Sequence, residues 1–211
     1  IIPVPKKDLP VKLPNIKEFP ILYIALQKIG CIPIASLVTH RYAEINQFVE
    51  LSGATTCVVL DKYRDFNFLE MVFRVAEKNP TLKHIIVLGD APKGTYSLSD
   101  LTFTPAKRPE SDLDLIEIDP LDPAVFQLSG GTTGIPKLIP RTHNDYSYNS
   151  KQAGLVTEIK ADSCLLLVLP ISHNLPLACP GLQGFLFRGA KVVLSTSTAS
   201  PDVFALVQKH K

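Results

Sequence analysis

Residues 129–143 read SGGTTGIPKLIPRTH, directly after the apolar run AVFQL. Within that short stretch, glycines stand at Gly130, Gly131 and Gly134, hydroxyls at Ser129, Thr132 and Thr133, and an ammonium at Lys137. Glycines let the backbone approach a bulky anion while N–H groups, hydroxyls and a lysine supply donors, so the chemistry this segment suits is the holding of phosphate. Two well-known phosphate patterns do not fit. Walker A requires glycine before the lysine and a hydroxyl after it, where Pro136 and Leu138 stand here. The glycine spacing also departs from G-x-G-x-x-G. Residue types alone leave two readings open with equal weight: a donor-rich cradle between two strands, or a Gly-Thr hairpin connection that precedes a surface lysine.

A second candidate lies at His173 and Asn174, which follow the apolar string CLLLVLPI. Ligand groups tend to emerge at the ends of parallel strands. A His-Asn pair by itself is nevertheless more often a helix cap or a satisfied surface pair. Arg141 and His143 follow the glycine segment closely, but Thr142 and Asn144 resemble a helix start, so both read as positioning or capping groups. Cys31, Cys57, Cys164 and Cys179 lie far apart with no CxxC pair, which suggests neither a disulfide framework nor a zinc site. The first three sit in apolar strings and read as small core residues.

Alternating helices and strands position these groups. NIKEFPILYIALQKIG predicts a helix with Asn15 as N-cap, Ile16, Phe19, Leu22 and Leu26 at helical spacing, and Gly30 as a stop. The strand CIPIA, a helix around RYAEINQFVELSG, the strand TTCVVLD, the helix DFNFLEMVFRVAEKN and the strand KHIIVLG follow. Residues 90–123, rich in Pro, Ser, Asp and Lys, read as surface connection with one strand at LDLIEI. Beyond it come the strand AVFQLS, the segment KLIP, a capped helix THNDYSYNSKQAG, a buried strand SCLLLVLP, a helix within residues 171–189 ending near Gly189, a strand AKVVLS and a helix opened by Ser200-Pro201. Buried Val/Ile/Leu strands alternating with helices imply an α/β fold whose mainly parallel sheet is flanked by helices.

At 211 residues the chain is long enough for a substantial core, and 45% apolar with 20% charged residues argues for a globular protein. A net charge of +2 with scattered basic residues points to neither nucleic acid nor an anionic membrane surface. The longest apolar run is far too short to span a bilayer. We expect a cytoplasmic protein.

LSGGTTGIPKLIPRTH closely resembles the phosphate-loop signature of the adenylate-forming superfamily, which includes acyl-CoA synthetases, luciferases and the adenylation domains of nonribosomal peptide synthesis. LPNIKEFPILYIALQKIGCIPI and HRYAEI resemble an early core motif of that family, and SHNLPLACPG its acyl-pocket motif. KLIPRTHNDY and HNLPLACPG are most similar to the stand-alone ligases that activate 2,3-dihydroxybenzoate or salicylate in siderophore biosynthesis. The resemblance implies joining an aryl acid to AMP with release of pyrophosphate, then passing the acyl group to the phosphopantetheine thiol of an aryl carrier protein. It gives Ser129, Gly130, Gly131, Thr132, Thr133, Gly134 and Lys137 the outer phosphates of ATP, with Mg²⁺ sharing the charge beside Thr133. It makes Lys137 and His173 the catalytic candidates, with His173 bordering the reacting carboxylate. Asn174 would meet the ring substituents, while Leu175, Cys179 and Gly181 shape the slot. Cys179 is not expected to be a nucleophile, because the substrate carboxylate itself attacks ATP.

The family's adenine-stacking motif, ribose-binding aspartate and small C-terminal domain have no counterpart in these residues. We therefore expect residues 13–211 to be part of the large N-terminal domain of an adenylate-forming enzyme and residues 1–12 to be a non-native or disordered leader. By itself the chain is expected to be inactive and prone to self-association. Two alternatives stay open: another acyl-CoA synthetase or amino-acid-activating domain, and a non-catalytic nucleotide-binding module.

Overall fold

The computed structural model describes residues 8–129, 134 and 136–210. In chain order these form β1 (Asp8–Lys12), α1 (Glu18–Lys28), β2 (Ile32–Ala35), α2 (Tyr42–Ser52), β3 (Thr56–Leu60), β4 (Lys62–Tyr63), β5 (Phe66–Asn67), α3 (Phe68–Lys78), β6 (His84–Leu88), β7 (Tyr96–Ser97) and α4 (Leu98–Phe103). A 3-10 turn (Glu110–Leu115) leads to β8 (Pro123–Leu128), β9 (Leu138–Thr142), α5 (His143–Val156), β10 (Cys164–Leu167), α6 (Asn174–Ala178), α7 (Gly181–Phe187), β11 (Lys191–Leu194) and α8 (Ser200–His210).

Seven strands form one sheet in the order β7-β6-β3-β1-β2-β8-β9, parallel throughout except for the antiparallel edge strand β9. β10 and β11 pair in parallel as a second sheet, and β4 and β5 form a short hairpin. The parallel sheet is covered on both faces, which is why Cys57, Val58 and Val59 of β3 are all buried without polar alternation. One face packs Ile34, Val59 and Val87 against Ile45, Phe48 and Val49 of α2 and Phe68, Val72 and Val75 of α3. The other packs Leu9, Val11 and Val125 against Phe19 and Tyr23 of α1, Tyr146 of α5, Leu177 of α6 and Leu182 of α7. Local signals start several of these helices. Asn67 Oδ1 accepts from Glu70 N–H at α3, Ser97 Oγ from Asp100 N–H at α4 and Thr142 Oγ1 from Asp145 N–H at α5, caps that typically contribute about 1 kcal/mol each.

The structure departs from the sequence reading in several places. Residues 8–12, assigned there to a leader, form the strand at the middle of the sheet; Leu9 and Val11 are buried and pair toward β2 and β3. LDLIEI is not a strand. Its first residues close the 3-10 turn, and the connection also carries β7 and α4. Residues 171–189 hold two helices instead of one, separated at Cys179-Pro180, whose peptide bond is cis. β10 is shorter and less buried than SCLLLVLP implied, and Cys164 is exposed rather than a core residue.

Asn15 does not cap α1. The residue before that helix is Lys17, which makes no side-chain cap. Asn15 is buried instead, and its carboxamide lies across the chain leaving β10: Nδ2 donates to Leu167 O at 3.1 Å and Leu169 O at 2.9 Å, and Oδ1 accepts from Ile171 N–H at 2.8 Å. One side chain thus ties the exit of β1 to the second sheet and satisfies backbone groups that burial would leave orphaned.

A second buried polar group organises the exit of β2. Lys12 is wholly buried; its Nζ donates to Leu37 O and to His40 O, the latter at 2.7 Å, and lies 4.7 Å from the centre of the Phe68 ring. Burial, reinforced by the Arg41 guanidinium, lowers its pKa to about 7. His40 Nδ1 accepts from Leu37 N–H at 3.1 Å, so the ring is held neutral, and burial with neighbouring Lys12 lowers its pKa to about 4.

Two predictions follow from these polar groups. Asn15→Ala leaves three backbone partners without their bonds and lowers stability by about 2–4 kcal/mol in urea titration; a loss below about 0.5 kcal/mol would show that the pin is dispensable. For His40, whose folded pKa is about 4 against an ordinary 6.5, the unfolded chain binds more protons between those values, so stability falls as pH drops through that window. Lys12, Arg41 and His173 add to the depression and Glu44 opposes it. His40→Asn keeps an acceptor but removes the titration, so its stability is flatter between pH 6.5 and 4; equal slopes for both proteins would overturn the assignment.

Candidate functional site

β8 and β9 form the two sides of the glycine segment. Ser129 N–H donates to Lys137 O at 3.1 Å, and Ser129 Oγ accepts from Lys137 N–H at 2.9 Å, so this pair closes the base of the loop. Because that bond uses a lone pair of the Ser129 hydroxyl, its proton stays available to an anion. The Lys137 side chain is exposed. Gly134 is also exposed, while Gly130, Gly131, Thr132 and Thr133 lie outside the described residues. The base itself is therefore what the structure establishes for the phosphate-binding expectation. β8 runs parallel to β2, which puts Ser129 and Lys137 at the carboxyl edge of the parallel strands, where ligands of open α/β sheets are bound.

The His-Asn motif is built by α6 and α7. His173 precedes α6 and is exposed, with its N–H donating to Pro170 O. Asn174 is half-buried, Leu175 is exposed, and Cys179 is half-buried with its Sγ 4.0 Å from Asn149 Oδ1. Gly181 is buried at φ +42°, and a Cβ there would overlap the Pro176 carbonyl, so glycine is required for the α6–α7 corner to close. Behind the corner, Asn149 Nδ2 and Ser150 Oγ both donate to Ala178 O, and Gln183 Nε2 donates to Tyr23 OH at 2.8 Å. These bonds dock the motif on α5 and α1.

Both candidate segments meet on one face of the β8–β9 pair. Gln127, two residues before Ser129 and so about 7 Å from it along the same face of β8, donates from Nε2 to Tyr146 OH at 3.0 Å. Tyr146 OH donates to Asn174 Oδ1 at 3.1 Å, and Arg141 Nη1 of β9 approaches the same oxygen at 3.4 Å. Arg141 is clamped by Asp145, four residues on in the first turn of α5, and lies 4.9 Å over the Tyr146 ring. Burial raises the Tyr146 phenol well above its usual pKa, with Arg141 pulling the other way, so it stays protonated; the bond from Arg141 holds the Asp145 carboxyl below its usual range. Sequence reasoning did not find Gln127 or Tyr146. The available signal was Gln127 itself, an amide inside an apolar strand, which burial obliges to find a partner.

A sizeable cavity lies elsewhere. A cleft of about 580 Å³ runs between the ends of the two sheets, lined among others by Leu13, Arg41, Phe66, Ile171, Ser172 and Ser195; it reaches the residue before His173 but includes neither Asn174 nor Lys137. Volume alone does not select it over the polar face, which carries the convergent hydrogen-bonding groups. Among the described residues, no group of three or more His, Cys, Asp or Glu is placed to hold a metal ion, and Thr133, the residue expected beside Mg²⁺, is outside them. No helix among the described residues is long and apolar enough to cross a membrane.

The chain is 41% identical over 201 residues to a 2,3-dihydroxybenzoate-AMP ligase of Bacillus subtilis, covering 95% of this chain and 36% of that protein. It is 38% identical over 205 residues to the salicyl-AMP ligase / salicyl-S-ArCP synthetase of Mycobacterium tuberculosis, covering 95% and 34%. The apo structure of Mycobacterium smegmatis MbtA superposes with a TM-score of 0.87 at 38% identity, over 97% of this chain and 37% of that one. The chain thus spans about a third of the length of the curated relatives it matches. The pattern of the family described as AMP-binding enzyme matches residues 6–211, nearly the whole of the sequence, and the chain belongs to that family.

Proposed function

We propose that these residues form part of an ATP-dependent ligase that activates 2,3-dihydroxybenzoate or salicylate. The acid's carboxylate attacks the α-phosphate of ATP, an acyl–O–P bond forms as the bond to the β-phosphate's bridging oxygen breaks, and pyrophosphate leaves. The aroyl group then passes to the phosphopantetheine thiol of an aryl carrier protein: a thioester bond forms at the carbonyl carbon as its bond to the phosphate oxygen breaks, and AMP leaves. The observation that carries the reading is the meeting of Arg141 and Asn174: it brings the strands of the glycine loop and the HNLPLACPG motif to one face. The names of the two relatives above, one for each acid, support the same substrate class.

On this reading Ser129 and Lys137 supply donors to the outer phosphates, and the exposed Lys137 ammonium meets the charge that moves onto the departing pyrophosphate. Gly130, Gly131, Thr132, Thr133 and Gly134 would add backbone and hydroxyl donors, and Mg²⁺, with Thr133 as the residue expected to hold it, would share the phosphate charge. His173 borders the reacting carboxylate, Asn174 meets the ring, and Leu175 and Cys179 wall the slot. Gly181 acts through the backbone corner that sets their positions. A neutral amide suits an aryl acid better than an amino acid, whose ammonium would call for a carboxylate at that place.

The test is ATP–pyrophosphate exchange by the natural polypeptide that contains these residues, with each acid in turn. Exchange dependent on salicylate or 2,3-dihydroxybenzoate is expected; exchange driven only by amino acids or aliphatic acids would overturn the reading. Lys137→Ala removes a charge-assisted contact to phosphate of about 1.5–3 kcal/mol, so exchange slows roughly 10- to 150-fold while aryl-acid affinity, read by calorimetry, stays within about twofold. Unchanged exchange in that variant would remove Lys137 from the reaction.

A further inference from the structure

Asn174 has one end occupied from within the protein. Its Oδ1 faces the Tyr146 hydroxyl and the Arg141 guanidinium. Arg141 has only donors to offer, so the atom facing it must be the amide oxygen and not the NH₂. Tyr146 is oriented in turn, because Gln127 Nε2 donates to its hydroxyl and the phenolic proton is thereby directed onward to Asn174. Tyr146 is 1% exposed and Gln127 6%, so water does not compete for the bond between them. Reversing the Asn174 amide would set NH₂ against two donors, with the penalty of an unsatisfied buried group.

We propose that the Gln127–Tyr146 relay, helped by Arg141, locks Asn174 with its NH₂ as the ligand-facing end, so that the site selects aryl acids bearing an acceptor atom ortho to the carboxylate. This rests on the proposed aryl-acid reading. In a 2-hydroxy acid the phenolic proton turns inward to the acid's own carboxylate, leaving a lone pair of the ortho oxygen directed outward to meet the NH₂. In a 2-amino acid of the same shape, one N–H turns inward and the other outward, so a donor meets a donor. The discrimination therefore resides in the fixed polarity of one amide, and Tyr146 is a positioning residue that acts through Asn174. The relay also starts on β8 two residues before the base of the glycine loop, so one strand carries both the loop and the support of the acid-facing group.

The experiment compares salicylate with anthranilate in ATP–pyrophosphate exchange, using the natural polypeptide and its variants, each checked for folding by thermal melting. Tyr146→Phe keeps the ring and leaves only the longer contact from Arg141 to hold the amide, so reversal becomes easier and the salicylate-over-anthranilate ratio of kcat/KM falls about tenfold, with anthranilate losing less than salicylate. Gln127→Met, which leaves the hydroxyl in place but unanchored, shifts the ratio in the same direction by a smaller factor. In an Asn174→Ala background, Tyr146→Phe changes the ratio less than twofold, since there is no amide left to orient. Equal losses on both acids in Tyr146→Phe, or an undiminished shift in the Asn174→Ala background, would overturn the relay while leaving aryl-acid activation intact. No exchange with either acid in the unaltered protein would overturn the functional reading and the relay with it.

Discussion

The position of the HNLPLACPG motif depends on a single buried carboxamide far from it in sequence. Asn15 follows β1 by three residues, yet its donors and acceptor close on Leu167, Leu169 and Ile171 as the chain leaves β10. Two residues later that chain delivers His173 and Asn174. A two-stranded sheet has little independent stability. β10 and β11 are held against the main sheet by the shared core around Phe19, Tyr23, Leu167 and Ile171 and by this pin. Apolar packing is non-directional and tolerates sliding, whereas three hydrogen bonds from one planar group fix the register of the 167–171 segment over β1.

Helix α5 completes the frame. Its N-terminus is set by Thr142, the last residue of β9, and its first turn presents Asp145 to clamp Arg141 and Tyr146 to reach Asn174. One turn further, Asn149 and Ser150 hold the Ala178 carbonyl at the α6–α7 corner. The same helix therefore registers the strand leaving the glycine segment and the HNLPLACPG motif. Displacing α5 by even one residue would turn these groups through about 100° and break both connections at once.

The layer order was readable from the sequence because it rests on local repetition. Helical spacing in FLEMVFRVAEK and unbroken apolar strands such as TCVVL are short-range patterns with one physical solution in water. The roles of polar residues in apolar surroundings were not. Asn15 sits before a helix, where a cap is the cheapest local explanation, and only the fold brings residues 167–171 to it. The same holds for Lys12, a charged residue on a central strand whose acceptors are the backbone oxygens of Leu37 and His40. A polar or charged residue near the sequence start also disguised β1, since PVPKKDLPVK does not show the alternation or run that marks a strand. Of the site, the loop and the His-Asn motif were legible as composition and resemblance; the Gln127–Tyr146 connection between them was not, because it joins three elements that no sequence spacing relates.

The electrostatics divide between the two halves of the proposed site. Arg141 would be a strong attractor for any carboxylate, but Asp145 holds it in a two-bond pair and leaves the acid-facing side close to neutral. Lys137, exposed at the loop base, has its backbone groups engaged by Ser129, an arrangement that fixes where the stem begins while its long side chain remains able to follow a moving charge. Such a division suits a reaction between two anions. A rigid cation beside the acid would stabilise the bound carboxylate as much as the transition state and so give no acceleration, whereas a cation that gains contact as negative charge collects on the departing pyrophosphate lowers the barrier itself. On the proposed reading, the neutral amide on its relay has the remaining task of orienting the ring, which needs direction rather than charge.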